Sequence, residues 1–186
     1  GSMCKANRAV LYEYQKTRKA DAPDEFLKGF EGTLVCDGYQ VYHTLENQAD
    51  TKFTVAGCWA HARRKFAEIV KSLGEEKASG TVAAEALMQI QAIYHADKLL
   101  LKLPPSERKK RRKLLVKPMV DGYFDWCREI QGQISPASQT AQGIRYSLNQ
   151  EKYLRIFLDD AQIPMDNNLA EQAISCLLYT SPSPRD

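Results

Sequence analysis

The sequence predicts an α/β fold carrying a helical insertion, and three observations lead there. Short strand-like runs alternate with helical patterns over residues 8–75, and strands alternating with helices mark the α/β class. From Gly80 onward only helical spacing remains, over residues 80–160. A segment rich in capping residues then opens a last helix at residues 164–175. A chain of 186 residues allows one domain, or a small domain with an insertion. No apolar run approaches the roughly 18 residues of a membrane span, and the N-terminus lacks the apolar stretch of a signal peptide. A cytoplasmic protein with no membrane partner is therefore expected.

The elements follow in order. Residues 9–14, with Val10, Tyr12 and Tyr14, read as a strand. Residues 22–30 place Pro23 and acids in a first helical turn. Residues 32–36 form a continuous apolar run, the kind buried on both faces of a parallel sheet, and end at Asp37-Gly38. A helix is expected at 39–46, a third strand at 52–59 and a helix at 60–71. The insertion reads as helices at 81–103, from Pro104 through the basic run, at 115–134 and at 150–158, with Ser135-Pro136 as punctuation. Residues 169–174 complete the helices. Residues 176–186 break the periodicity with Ser-Pro-Ser-Pro. That string resembles a reading frame of sequencing-library adaptor DNA, so a non-native tail is expected there.

Net charge is +3, too small to demand a nucleic-acid partner, but its distribution is uneven. Lys98, Lys102, Arg108, Lys109, Lys110, Arg111, Arg112, Lys113 and Lys117 face only Asp97 and Glu107 in the same stretch. The five cysteines are widely spaced and form no Cys-x-x-Cys, which suggests buried thiols in a reducing compartment.

Four sets of residues could carry chemistry. Asp37 stands at the carboxyl end of an apolar strand, where open α/β sheets place ligands, although Asp-Gly is also a common turn. Glu171 lies three residues after Asn168, so a capping box explains it as well as catalysis does. Arg63, Arg64 and Lys65 follow a strand-to-helix turn and suit phosphate oxygens, or simply a solvated face. Cys58-x-x-His61 has the spacing of half a zinc site, but a buried thiol and a hydrogen-bonded histidine are the plainer reading.

Four blocks in register then carry a resemblance. They are Leu34-Val35-Cys36-Asp37-Gly38-Tyr39-Gln40-x-Tyr42-His43, Ala56-Gly57-Cys58-Trp59-Ala60-His61-Ala62-Arg63-Arg64-Lys65-Phe66, Tyr146-x-Leu148-Asn149-Gln150, and Asp166-Asn167-Asn168-x-Ala170-Glu171-Gln172-Ala173-Ile174. Together they resemble the insertion-sequence-66 family of DDE transposases. The resemblance implies a partial ribonuclease-H-like fold of the DDE integrase type, with a helical insertion before the last catalytic helix. It maps the second catalytic aspartate onto Asp37 and the catalytic glutamate onto Glu171. The first aspartate's Ala-Asp-Glu-Thr-like block is missing, so a fragment inactive by itself is expected.

In that family three carboxylates hold two Mg²⁺ or Mn²⁺ ions for cleavage and transfer of DNA strands, a task for hard oxygen ligands. The implied partners are transposon ends, target DNA and further copies of the full protein. Arg63, Arg64, Lys65 and the run Arg108, Lys109, Lys110, Arg111, Arg112 and Lys113 would hold phosphates. Two other readings stay open. A non-catalytic DNA-binding or regulatory fragment would explain the basic run, and a structural helical partner would explain residues 80–160.

Overall fold

The computed structural model describes Gly29 and residues 31–36 and 52–166. The strand expected at 9–14, the helices expected at 22–30 (but for Gly29), 39–46 and 169–174, and the tail at 176–186 lie outside the described residues. So do Asp37 and Glu171.

Two strands, β1 (Glu31–Cys36) and β2 (Lys52–Gly57), pair in parallel, from Glu31 opposite Lys52 to Cys36 opposite Gly57. An exposed ion pair joins Lys52 Nζ to Glu31 Oε1 at 2.7 Å and pins the first rung. In β2, Phe53 and Val55 alternate inward, as a period-2 pattern demands. The expectation that β1 is buried on both faces needs correction. Within β1 only Cys36 is buried, while Thr33, Leu34 and Val35 are half-buried and Glu31 and Gly32 exposed.

Helices dominate the rest. α1 (Trp59–Leu73) buries Trp59, Ala62 and Phe66, spaced three and four apart on one face. The short α2 (Glu75–Ala78) leads to Thr81, whose hydroxyl accepts from the Ala84 amide and caps α3 (Val82–Leu100). α3 buries Ala83, Ala86, Ile90, Ile93, Asp97 and Leu100. Next come α4 (Pro105–Arg111), a π-turn (Arg112–Val116) and α5 (Lys117–Gln131), which run on without a break. Pro118 accounts for the wide turn. Its ring would collide with the Leu114 carbonyl of a regular α-helix, and it has no amide to donate.

Ser138 caps α6 (Gln139–Asn149) by accepting from the Ala141 amide. α7 (Glu151–Leu154) and a 3₁₀ turn (Ile156–Leu158) complete the described helices. An ion-pair network joins α5 to α7. Arg155 binds Asp121 and Glu151, and Arg128 binds Glu151 and Asp125. Hydrogen bonds from Lys117 and Arg155 hold the Asp121 carboxyl below the usual range.

One core spans the boundary drawn at residues 75–80. Trp59 lies at its centre, with ring centroids of Tyr123, Phe124 and Phe157 at 5.7, 5.9 and 6.3 Å. Ala62 and Phe66 of α1 share this cluster with Ile90, Val120, Ile144 and Leu154 from the later helices. Gly143 lets α6 approach α1, because a Cβ there would lie 2.8 Å from the Phe66 ring. The buried Tyr123 hydroxyl is satisfied by Ser147 Oγ at 2.8 Å. No helix among the described residues is long and apolar enough to cross a membrane.

Candidate functional site

The block Gly57-Cys58-Trp59 forms a junction where strand becomes helix. Gly57 ends β2 against α7, and a Cβ there would meet the Leu154 backbone nitrogen at 3.1 Å. Cys58 is extended (φ −92°, ψ 113°), so its amide still points along the sheet, and it donates to the Cys36 carbonyl at 2.9 Å. The next amide, that of Trp59, belongs to the first helical turn and is free of intrahelical bonding. It donates to the Met165 carbonyl at 3.0 Å. The Trp59 indole donates to the Leu154 carbonyl at 2.8 Å and locks the junction against the helices.

Two adjacent amides therefore hold two segments that are distant in sequence. One segment is the last residue before Asp37. The other, Met165-Asp166, leads directly into Asn167-Asn168-Leu169-Ala170-Glu171.

Beside Asp166 stands Tyr94 of α3. Its hydroxyl is buried near the Asp166 carboxylate. Burial first, then the nearby Asp166 carboxylate, push its ionisation far above the ordinary tyrosine value. Cys58 is fully buried, as expected of a structural thiol, and Cys36 and Cys127 are buried as well. Burial drives the Cys127 thiol up to about 12. Among the described residues no group of three or more His, Cys, Asp or Glu side chains is placed to hold a metal.

Arg63, Arg64 and Lys65 are all exposed on α1. Arg63 and Arg64 line an open groove of about 410 Å³ with Ala60, Ala67, Gln91 and Tyr94. Arg64 and Lys65 border a second hollow with His61, Glu68 and Tyr146, and Lys65 Nζ sits 4.7 Å over the Tyr146 ring.

The basic run divides into two faces. Lys109 and Lys110 are exposed and make no ion pair with described residues, Arg111 pairs with Glu107 at 2.8 Å, and Lys113 lies 3.8 Å from Asp159. Arg112 is the opposite case, and its burial overturns the expected phosphate role. It is fully buried, its Nε and Nη2 bind both oxygens of Asp97 at 2.7 and 3.0 Å, and Nη1 donates to the carbonyls of Phe157, Asp160 and Ile163. No nitrogen is left for a phosphate. Arg108 is half-buried and turned inward as well. It donates to the carbonyls of Leu100, Leu101 and Leu103 at the end of α3, and to Ala161 at 3.0 Å. The i, i+4 spacing of Arg108 and Arg112 could have shown an inward face, since residues so spaced share one side of a helix.

The Transposase IS66 family profile matches residues 2–179. Uncharacterized protein y4qI of Sinorhizobium fredii is 32% identical over 171 residues, covering 89% of this chain and 31% of that protein. Uncharacterized protein y4jD of the same organism is 29% identical over 176 residues, covering 92% of this chain and 34% of its own length. The chain thus spans about a third of the curated relatives it matches. No solved structure matches it.

Proposed function

This chain belongs to the IS66 family of transposases, and from that premise we propose that it forms part of the site at which such a protein cuts and joins DNA strands. Asp37 and Glu171 are its two carboxylates in this reading, and the junction of Cys58 and Trp59 is the observation that carries it. Asp37 follows a residue held by one amide, and Glu171 follows within a few residues of one held by the next. Six residue steps, from the held Met165 to Glu171, reach at most about 22 Å even when extended. The two carboxylates therefore start from anchors close enough to share one centre. The parallel pairing of β1 and β2 supports a ribonuclease-H-like sheet in which Asp37 tops a strand.

Asp and Glu oxygens are the ligands that Mg²⁺ or Mn²⁺ prefers. Such ions, when bound, supply activation of an attacking hydroxyl and stabilisation of the leaving oxygen. The chain's own residues fix the two carboxylates relative to each other through the junction. Arg63, Arg64 and Lys65 hold DNA phosphates beside it, and Lys109, Lys110, Arg111 and Lys113 hold them farther along the strand. The DNA partners are transposon ends and target, and copies of the full protein associate on them.

The test is Mg²⁺-dependent nicking by a protein of the relatives' full length that carries this segment. Asp37→Asn and Glu171→Gln should each slow nicking by roughly 10²–10³-fold or more, the scale seen when a charge-stabilising group is lost, while DNA retention persists. Salt-sensitive DNA binding with no cleavage under any divalent cation would instead support a non-catalytic DNA-binding role.

A further inference from the structure

The tyrosine of the block Tyr146-x-Leu148-Asn149-Gln150 is placed by packing. Gly143 lets α6 lie close against Phe66 of α1, and the buried Ser147 hydroxyl hydrogen-bonds with that of Tyr123 and fixes the last turn of α6. Tyr146, one turn beyond Gly143, therefore comes to rest beside Lys65, the neighbour of Phe66. It lines the hollow of about 260 Å³ together with His61, Arg64, Lys65 and Glu68, which share one face of α1 at i, i+3, i+4 and i+7 spacing. Arg64 also lines the larger groove, so the two hollows adjoin along one helix. We propose that the smaller hollow takes an unpaired base of single-stranded DNA, with the Tyr146 ring as the surface on which the base stacks and Arg63 and Arg64 on the phosphates beside it. This rests on the DNA-binding reading given above.

Size decides between strand and duplex. The hollow is smaller than the roughly 300–1,000 Å³ pockets that enclose a whole drug-sized ligand, and it admits one planar ring system but not a base pair. Chemistry decides which part of the strand enters. Glu68 puts an exposed carboxylate among the lining groups, which repels a phosphate and accepts from the N–H groups of a base. Lys65 Nζ sits 4.7 Å over the Tyr146 ring, the place that a stacked base would take. The Lys65 side chain is exposed and its stem flexible, so it covers the ring while no strand is bound and swings to a phosphate when one arrives. Cations along a groove beside an aromatic ring suit any sequence, because every base has a π-face. Drawing a base out of a duplex costs unpairing and unstacking energy, so the hollow favours strands that are already open.

The experiment compares the affinities of a protein of the relatives' full length that carries this segment for one oligonucleotide, as a single strand and as a blunt duplex, at equal salt. Tyr146→Leu keeps apolar bulk against the core but removes the π-face. It should weaken single-strand binding at least about fivefold and duplex binding less than about twofold, whereas Tyr146→Phe should bind both as the parent does. If Tyr146→Leu fails to fold, crosslinking of the parent carries the test. A strand carrying 5-iodouracil, which couples under light to an aromatic ring stacked on it, should form its adduct at Tyr146 when single and not when paired. Adducts confined to other residues would overturn the inference, and so would equal losses of strand and duplex binding in Tyr146→Leu. Salt-sensitive binding of both forms that Tyr146→Leu leaves unchanged would remove the role of the hollow alone. A parent that binds DNA in neither form would bring down the DNA-binding reading, and this inference with it.

Discussion

Asp97 and Arg112 meet as a buried bidentate pair, Nε to Oδ1 at 2.7 Å and Nη2 to Oδ2 at 3.0 Å, inside the most basic stretch of the chain. The other nitrogen of Arg112 serves three backbone carbonyls, and its guanidinium lies 5.0 Å from the Phe157 ring centroid. Charges withdrawn this far from water are tolerable only when every donor is satisfied.

Removing one partner of this pair is therefore expected to be severe. Arg112→Met leaves the Asp97 carboxylate buried and alone and should cost about 3–5 kcal/mol in urea unfolding. The double variant Asp97→Leu/Arg112→Met should recover part of that loss. A single-variant cost below about 1 kcal/mol would show that the pair opens to solvent.

DNA affinity should divide the basic run. Replacing Lys109 and Lys110 by Ala should reduce the slope of log affinity against log salt by up to about two units, similarly for unrelated sequences. Arg111→Ala should add up to about one more. Equal salt slopes in the parent and the double-lysine variant would leave the exposed face a solvated one.

Two glycines should resist substitution for different reasons. Gly143→Ala pushes a methyl into the Phe66 ring from 2.8 Å and should cost about 1–3 kcal/mol by overpacking. Gly57→Ala meets the Leu154 backbone at 3.1 Å, so relief requires α7 to shift. It should also weaken the indole bond to the Leu154 carbonyl, visible as a changed Trp59 fluorescence maximum. Gly122, which has nothing within 4 Å of a Cβ, should accept Ala without loss.

Acid should release the α5–α7 network. Asp121 is held below its ordinary value by Lys117 and Arg155, so its folded-state pKa is depressed. Its stabilisation is full above the unfolded-state value near 3.8 and disappears as pH falls through the lower folded value. Asp121→Asn should melt lower than the parent at pH 7, and the two curves should converge in strong acid. A gap that stays constant from pH 7 down through the acid range would assign the effect to packing instead.

Much of this architecture is legible in the residues. The strands at 31–36 and 52–57 and the helices at 59–73 and 82–100 follow from apolar periodicity. α6 does not. Its buried face is Ala141, Gly143, Ile144 and Ser147, where small and polar residues fit against Phe66 and Tyr123. A pattern search sees only one large apolar residue there. α2 is too short to show a period. The basic run misleads for the opposite reason, since charge density looks the same whether an arginine points outward or grips buried carbonyls. Only the carbonyls of Phe157, Asp160 and Ile163, far along the chain, decide the direction of Arg112. The junction at Cys58 and Trp59 is likewise invisible in spacing, because it is made of backbone atoms. The motif marks its place without revealing its bonds.

The bond from the Trp59 amide to the Met165 carbonyl has an evolutionary consequence. It closes a ring of more than a hundred residues whose entrance and exit are one hydrogen bond apart. Lengthening a closed loop costs little, with each doubling adding only about 0.6 kcal/mol of closure entropy. The helices between those two atoms can therefore gain or lose turns, above all at exposed Gly132 and Gln133 just beyond α5, while both ends stay where they are. Relatives are free to differ widely in the size of this excursion, provided that its last residues still return to the tryptophan that begins it.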